Sequence, residues 1–408
     1  MSIDTRKINK DEMYFSLKGD NFDGNVFAME AIEKGAKFSI VDDVEQKDIN
    51  DNILYVENSL KALQDLSNHH RSLFDTKVIG ITGSNGKTTT KNLICSILSQ
   101  KYNVIKTKGN LNNHIGVPLS LLNIKDDIDV AIIEMGANHV GEIRRLCEIA
   151  MPDIGLITNY GYAHLEGFGS FEGVIKGKTE MYEYLTENYG HIILNNDDKL
   201  QVENCKGDLA VTYGNSKDSE FIFDYKKDNS SLKLKIDGYE FNSNLFGEYN
   251  FSNLASSITI GKFLDLSNKE IQEGLNKFLN DSNRSEILIF DTNKVYLDAY
   301  NANPTSMLAA ISNFENINNR VLILGDMFEL GEYTDQEHQK IVDFVTNKDY
   351  SKVYLVGDNF SKCNIDGECF FKFSNTNELA KSDSFKNLKN MNILVKGSRG
   401  VKLETLFK

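Results

Sequence analysis

The chain reads as short apolar runs separated by stretches whose apolar residues recur every three to four positions. KVIGIT, NVIKT, DVAIIEM, DIGLIT and HIILN, spread over residues 77–195, are runs of strand length. Helical patterns fall between most of them, GEIRRLCEIA and FEGVIKGKTEMYEYL being the clearest. Short apolar strands alternating with helices predict a parallel sheet covered on both faces. A second series of this kind starts near Asn283 with KVYLDAY, RVLILGD, KVYLVGD, CFFKF and NILVKGS, and helices are predicted from Pro304, Thr334 and Thr376. Ahead of both, FDGNVFAMEAIEKGAKFSIVDD reads as loop, helix and strand, and ENSLKALQDLSNHHRSLF as a helix leading into the central block.

After Leu209 the period changes. FIFDYKKDNSSLKLKIDGYEFN alternates with period two around a DGYE turn, which predicts an antiparallel excursion. Helices near 249–264 and 268–279 follow, and the polar stretch LNDSNRS reads as a hinge. The expected fold class is therefore α/β in three domains. These are a small N-terminal α/β domain (1–76), a central domain with a P-loop-type, mostly parallel sheet (77–282), and an open, Rossmann-like C-terminal α/β domain (283–408).

Composition agrees with several domains, because 408 residues exceed one ordinary core. A net charge of −14 argues against a nucleic-acid partner or an anionic membrane surface, both of which call for basic patches. The charged start MSIDTRKINKDEMYF has no apolar segment of signal-peptide type, and no apolar run approaches the length of a membrane span. Cys95, Cys147, Cys205, Cys363 and Cys369 are scattered without C-x-x-C spacing, so reduced thiols in a cytoplasmic protein are expected and structural zinc is not.

The chemistry begins at GITGSNGKTTTK, Gly80 to Lys91. Val78–Thr82 reads as a strand, Gly83-Ser84-Asn85-Gly86 turns the chain, and Lys87, Thr88 and Thr89 open a helix. Glycines let backbone N–H groups close on a phosphate, to which the helix N-terminus adds its positive end. Lys87 suits the β/γ-phosphates and the Thr88 hydroxyl suits Mg²⁺. The full G-x-x-x-x-G-K-[ST] pattern is absent, since Ile81 stands at the first glycine position. The plainer reading is a glycine turn carrying an exposed lysine.

Glu134 ends DVAIIEM, where open α/β sheets bind ligands and a carboxylate can hold a metal; the alternative is a paired structural glutamate. The next strand runs into a loop with Asn159, His164 and Glu166, where spacing alone leaves a metal or phosphate role for His164 open beside that of a solvated histidine. Lys176 and Lys178 lie in the following helix, where lysines are ordinarily at the surface.

GSNGKTT, EMGANHVGEI, NYGYAHLEGFGS, DAYNANPTSM, LGDMFELGE and LVKGSRG occur together and in this order. With them the chain resembles the Mur ligase family over nearly its whole length, from about Asp4. The resemblance implies an ATP-dependent, ADP-forming peptide ligase that phosphorylates a carboxylate and lets an amine attack the acyl phosphate. YNANP, LGDMFELGE, VKGSRG and the early FDGN resemble the branch joining D-alanyl-D-alanine to UDP-N-acetylmuramoyl-tripeptide in peptidoglycan synthesis. The implied cofactors are ATP and two Mg²⁺ ions. Two anions must meet in such a site, which accounts for cations aimed at them.

By the same resemblance, Lys87, Glu134, His164 and Lys178 are the catalytic set. Thr88 and Glu134 hold one Mg²⁺; Glu134, His164 and a carbamylated lysine hold the other. Lys178, in a K-x-x-x-[FY] element, matches that lysine, with Lys176 as the fallback. ATP contacts are implied for Gly83, Ser84, Asn85, Gly86, Lys87, Thr88 and Thr89, for Asn250 and Asn253 near the adenine, and for Arg284, Asp298 and Asn301 of the C-terminal domain. Tyr249 stands where relatives often have histidine. Asp4, Thr5, Arg6, Asp23 and Asn25 are candidates for the UDP-sugar, and Ser398 and Arg399 for the incoming dipeptide. His338 is expected either to support the LGDMFELGE loop or to cap a helix. The expected partners are the two substrates, with no nucleic acid and no membrane insertion, and the chain is expected to be a monomer. The alternatives are an amide ligase with another acceptor, resembling folylpolyglutamate synthase, and a non-catalytic nucleotide-binding regulator.

Overall fold

The structure is a computed structural model that describes residues 1–225, 232–245, 247–279 and 286–407. At the N-terminus, strands Met13–Phe15, Phe38–Val41 and Ile53–Tyr55 form a parallel three-stranded sheet in chain order. Helix Ala28–Glu33 packs Ala28 and Ala31 against it. Helix Ser59–Ser72 starts where the Asn58 side chain accepts the Lys61 N–H. It buries Leu63 with Phe15 and Ile40, and touches Leu119 and Leu122 beside helix Gly116–Leu121. Arg71 near its end pairs with Asp153 at 2.9 Å, which joins this part to the central sheet.

The central sheet has seven strands, all in parallel pairs. In spatial order they are Phe221–Ile222, Ala210–Gly214, His191–Asn195, Ile154–Ile157, Lys77–Thr82, Val130–Glu134 and Val104–Lys106. Each predicted strand from KVIGIT to HIILN appears in it. The chain leaves Lys77–Thr82 on one side, through the Val104 and Val130 strands, and returns on the other. The carboxyl end of Lys77–Thr82 is thus the point where the winding reverses and ligands bind in open α/β sheets.

The antiparallel excursion is present in shorter form, as strands Asp224–Tyr225, Lys233–Ile236 and Tyr239–Asn242. Asp237 (φ 49°) and Gly238 (φ 80°) are both left-handed, as a two-residue type I′ turn requires. Phe221–Ile222, read from the sequence as part of this excursion, joins the central sheet instead. The Phe223 N–H donates to Gly214 O at 2.8 Å and its ring is fully buried, which carries the parallel pairing past the edge.

The C-terminal sheet has six strands in the order Glu286–Phe290, Asn293–Asp298, Asn392–Lys396, Arg320–Gly325, Lys352–Val356 and Phe370–Phe373. Only the first pair is antiparallel. The edge strand Glu286–Phe290 was not expected from the sequence. Its exposed Ile287 and Ile289 break the buried pattern that marks the other strands. Helix Pro304–Phe314 is capped by Asn303, which accepts the Ser306 N–H, and has proline at its first position. The predicted hinge LNDSNRS falls largely on 280–285, outside the described residues. All five cysteines are free, and no helix among the described residues is long and apolar enough to cross a membrane.

Candidate active site

A cavity of 1040 Å³ opens at the carboxyl end of the central sheet, with walls from both the central and the C-terminal parts. Its floor is the loop after strand Lys77–Thr82. Gly83 (φ 139°) and Gly86 (φ 84°) occupy backbone conformations that disfavour side chains, and neighbours close off the space as well. A Cβ on Gly83 would meet Thr158 Oγ1 at 1.9 Å, and one on Gly86 would meet Asn253 Oδ1 at 2.3 Å. The next strand-end holds the loop in shape. Ser84 N–H donates to Asn159 O and Asn85 N–H to Asn159 Oδ1, each at 3.0 Å, while the Thr158 hydroxyl donates to Asn85 O. Lys87 Nζ folds back onto Gly83 O at 2.6 Å and Ser84 O at 3.3 Å, across the mouth of the turn.

Glu134 meets this loop from the neighbouring strand and is 2 % exposed. Its carboxylate accepts the Thr88 hydroxyl at 3.0 Å and the Asn112 amide at 3.0 Å. It also pairs with Lys91 Nζ at 2.9 Å. Burial opposes its ionisation, but the Lys91 and Lys87 ammonium groups outweigh burial and hold the carboxyl below the usual range. A hydroxyl and a carboxylate side by side beneath a phosphate loop are oxygen donors of the kind Mg²⁺ takes beside phosphate. Among the described residues no three His, Cys, Asp or Glu side chains cluster to hold a metal without further ligands.

His164 lines the same cavity from a left-handed backbone position (φ 55°). Its Nδ1 lies 2.5 Å from Glu329 Oε2, a close contact whose angle falls short of a formed hydrogen bond. Glu329 belongs to LGDMFELGE; His164, and more weakly Lys87, hold its carboxyl below the usual range against burial. Lys178 is 1 % exposed, whereas Lys176 of the same helix faces solvent. The Lys178 ammonium stands 5.4 Å from the Phe168 ring centre, and burial, followed by the charge on Lys87, pushes it well below its usual range. The hydrogen-bond and ion-pair partners of the Glu134 carboxylate are Thr88, Asn112 and Lys91, not His164 or Lys178.

The remaining candidates divide. Asn250, Asn253, Asp298 and Asn301 line the cavity together with Tyr249 and Tyr300. Asn253 Nδ2 donates to Asn250 Oδ1 at 2.9 Å, and Asp298 pairs with the buried Lys396 at 2.5 Å. Arg284 lies outside the described residues. Ser398 is buried behind the wall and accepts the Phe328 N–H at 3.2 Å, so its hydroxyl holds a loop rather than facing the cavity. Arg399 is exposed and its guanidinium sits 5.3 Å from the Tyr300 ring centre.

None of Asp4, Thr5, Arg6, Asp23 and Asn25 lines this cavity. Arg6 clamps Asp4 with two hydrogen bonds, which with the nearby Lys7 hold the Asp4 carboxyl down to about 2. Thr5 donates to Glu30, and Asp23 caps a short turn. Asn25 is fully buried, with its amide committed to Ser16, Asp23 and Asp42. Of the two roles expected for it, His338 takes that of supporting the LGDMFELGE loop; its helix has no side-chain cap at its N-terminus. Its Nδ1–H donates to Thr334 O within its helix, and its Nε2 accepts the Met327 N–H at 3.0 Å.

Three family models match the chain in succession. They are the Mur ligase family catalytic domain at residues 1–71, the Mur ligase middle domain at 81–261 and the Mur ligase glutamate ligase domain at 283–398. The UDP-N-acetylmuramoyl-tripeptide–D-alanyl-D-alanine ligase of Bacillus subtilis is 32 % identical over 427 aligned residues, covering 100 % of this chain and 92 % of the relative. The chain belongs to the Mur ligase family. Among solved structures, MurF from Acinetobacter baumannii superposes with a TM-score of 0.91 at 29 % identity, covering 99 % of this chain and 91 % of that one. A MurF ligase from Thermotoga maritima in complex with ADP gives a TM-score of 0.88 at 26 % identity, covering 99 % and 95 %.

Within this Mur ligase, sequence reasoning missed three members of the site. Lys91 looked like the fifth polar residue of a helix start, and only its one-turn spacing from Lys87 pointed inward. Asn303 exchanges amide hydrogen bonds with Asn85 at 2.8 and 3.3 Å, fastening the YNANP turn to the phosphate loop. Glu329 carried no spacing signal, because its partner His164 is remote in the chain.

Proposed function

We propose that the chain is an ATP-dependent ligase that joins D-alanyl-D-alanine to UDP-N-acetylmuramoyl-tripeptide with release of ADP and phosphate. The observation that carries this reading is one cavity in which the phosphate loop, the Thr88–Glu134 pair and the YNANP turn meet, in a chain similar end to end to ligases of that name. The reading treats residues 1–76 as the UDP-sugar-binding domain, 77–282 as the ATP-binding domain and 283–408 as the C-terminal ligase domain. It takes the chain as a monomer working in the cytoplasm, where its nucleotide-linked substrate is made.

The roles follow from the chemistry. Backbone N–H groups of Gly83–Thr89 cradle the ATP phosphates, and Lys87 exchanges its carbonyl partners for a γ-phosphate oxygen. Asn250 and Asn253 border the adenine, and Asp298 meets the ribose. Thr88 and Glu134 hold Mg²⁺, which neutralises phosphate charge when bound. His164 and Lys178 would complete a second cation site; burial lowers the basicity of the Lys178 amine, and a carbamate there, formed by adding CO₂ with loss of a proton to solvent, would supply the anionic ligand. A tripeptide carboxylate oxygen attacks the γ-phosphorus and ADP departs. The dipeptide amine then attacks the acyl carbon, the C–N bond forms, the C–O bond to phosphate breaks, and the amine's proton leaves with the departing phosphate. Asp4, Thr5, Arg6, Asp23 and Asn25 serve or shape the nucleotide-sugar site, and Arg399 suits the dipeptide carboxylate.

Mass analysis of products from ATP, the tripeptide nucleotide and D-alanyl-D-alanine tests the reading. Pentapeptide nucleotide should form one-for-one with ADP and phosphate. Phosphate release that needs the tripeptide nucleotide but ignores the dipeptide would overturn it. Lys87→Ala should lower kcat by about 10²–10³-fold, as the loss of a charge-stabilising donor does, and unchanged turnover would remove Lys87 from its role.

A further inference from the structure

We propose that Glu329 is a positioning residue that acts through His164, so that the C-terminal part of the chain aims this histidine when it seats on the ATP cavity; the inference rests on the ligase reading above. Glu329 Oε2 is 2.5 Å from His164 Nδ1, and Nδ1 is buried with no other partner. The backbone joins as well, since Glu166 N–H points to Glu329 O at 3.4 Å. The two residues come from different sheets, so the contact exists only while the loop after strand Arg320–Gly325 lies on the loop after strand Ile154–Ile157.

That loop is built to hold its tip still. The Asp326 carboxylate accepts the N–H groups of Asn359 and Phe360, each at 2.9 Å. The fully buried His338 accepts the Met327 N–H, Ser398 accepts the Phe328 N–H, and Leu330 is buried on the far side. Of this loop tip Glu329 lines the cavity, half exposed, with a left-handed backbone (φ 62°) beside the left-handed backbone of His164 (φ 55°). Two facing non-glycine residues in this region persist only where their surroundings impose them, and such strain gathers at functional sites. With Nδ1 turned to a carboxylate, Nε2 is the nitrogen left for a ligand in the cavity. A carboxylate this close behind an imidazole orients its ring, and when it takes the Nδ1 hydrogen bond it fixes the tautomer and strengthens the lone pair on the other nitrogen.

A double-mutant cycle on the full chain, with imidazole ¹⁵N spectra, tests the proposal. Glu329→Ala should lower kcat by about 10–100-fold with KM for ATP little changed, the size seen when an outer partner of a ligand is lost. It should add almost nothing in the His164→Ala background. The His164 resonances, assigned by their loss in His164→Ala, should shift in Glu329→Ala, and Glu329→Gln, which keeps an acceptor oxygen, should fall between. Equal losses in both backgrounds, or unchanged His164 resonances, would overturn it. The spectra stand apart from the ligase reading, because they report the contact even if the wild-type chain forms no pentapeptide.

Discussion

Lys91 stands one turn beyond Lys87 on the buried face of the same helix, with its Nζ against Glu134 Oε2. Glu134 therefore meets two demands at once. It must stay ionised although its own side chain is almost fully buried, and it must keep an oxygen turned to Thr88. Lys91→Met should cost about 3 kcal/mol in urea unfolding at neutral pH, the lower end for breaking a buried pair, because Thr88 and Asn112 still bond the carboxylate. The pH dependence follows from the sign of the shift. The folded carboxyl lies below the ordinary 4.5, so the pair's contribution is whole above that value and is lost as pH falls through the depressed one. The stability gap between wild type and Lys91→Met should therefore narrow in acid melts; a constant gap would show that Lys91 works by packing alone. Of these residues, Lys87, Thr88 and Glu134 were legible because turn, cap and strand-end positions leave local signatures. Lys91 was not, since a lysine one helical turn away reads as surface until a partner across the sheet is known.

At the scale of elements, the phosphate loop depends on its glycines for two separate reasons, and they can be pulled apart. Gly86 has both a left-handed φ and Asn253 Oδ1 in the space of a Cβ, whereas Gly238 in the distant hairpin has a similar φ and nothing within 4 Å. Alanine at either position should destabilise by about 1–2 kcal/mol through backbone strain. Only Gly86→Ala should also weaken ADP binding in calorimetry, by at least about tenfold, because displacing Asn253 deforms the cradle and 1.4 kcal/mol is already a tenfold loss. Equal ADP affinity in the two variants would place the loop's requirement in φ alone. Strand and helix periodicity located most strands of the two large sheets and the longer helices, because burial and stripe there are written locally, while short elements such as strands Met13–Phe15, Ile53–Tyr55 and Ala210–Gly214 and helix Gly116–Leu121 went unread. The edge strand Glu286–Phe290 escaped, since its partly exposed residues are set by the neighbour it pairs with.

At the scale of the whole molecule, the cavity exists because a turn of the C-terminal part rests on the phosphate loop. Asn303 and Asn85 exchange hydrogen bonds there, and Thr305 Oγ1 accepts the Tyr162 N–H at 3.0 Å. Asn303→Ala should lower kcat by about tenfold, the loss expected for one pair of hydrogen bonds. ADP affinity should change little, because the cradling N–H groups stay in place. A parallel loss of ADP binding would mean that the YNANP turn builds the phosphate site rather than closing it. The local record in the chain was enough for the α/β class, the phosphate loop with its Lys87 and Thr88, the strand-end position of Glu134 and the family, since turns, caps and periodic burial depend on near neighbours. Tertiary structure alone decided that Lys178 rather than Lys176 is buried, that Ser398 holds a loop, that Asn25 is committed to a buried network, and that Glu329 meets His164. Ser398 and Glu329 depend on partners far away in sequence and Asn25 on Ser16 and Asp42 of neighbouring elements, and only packing brings such partners within bonding distance.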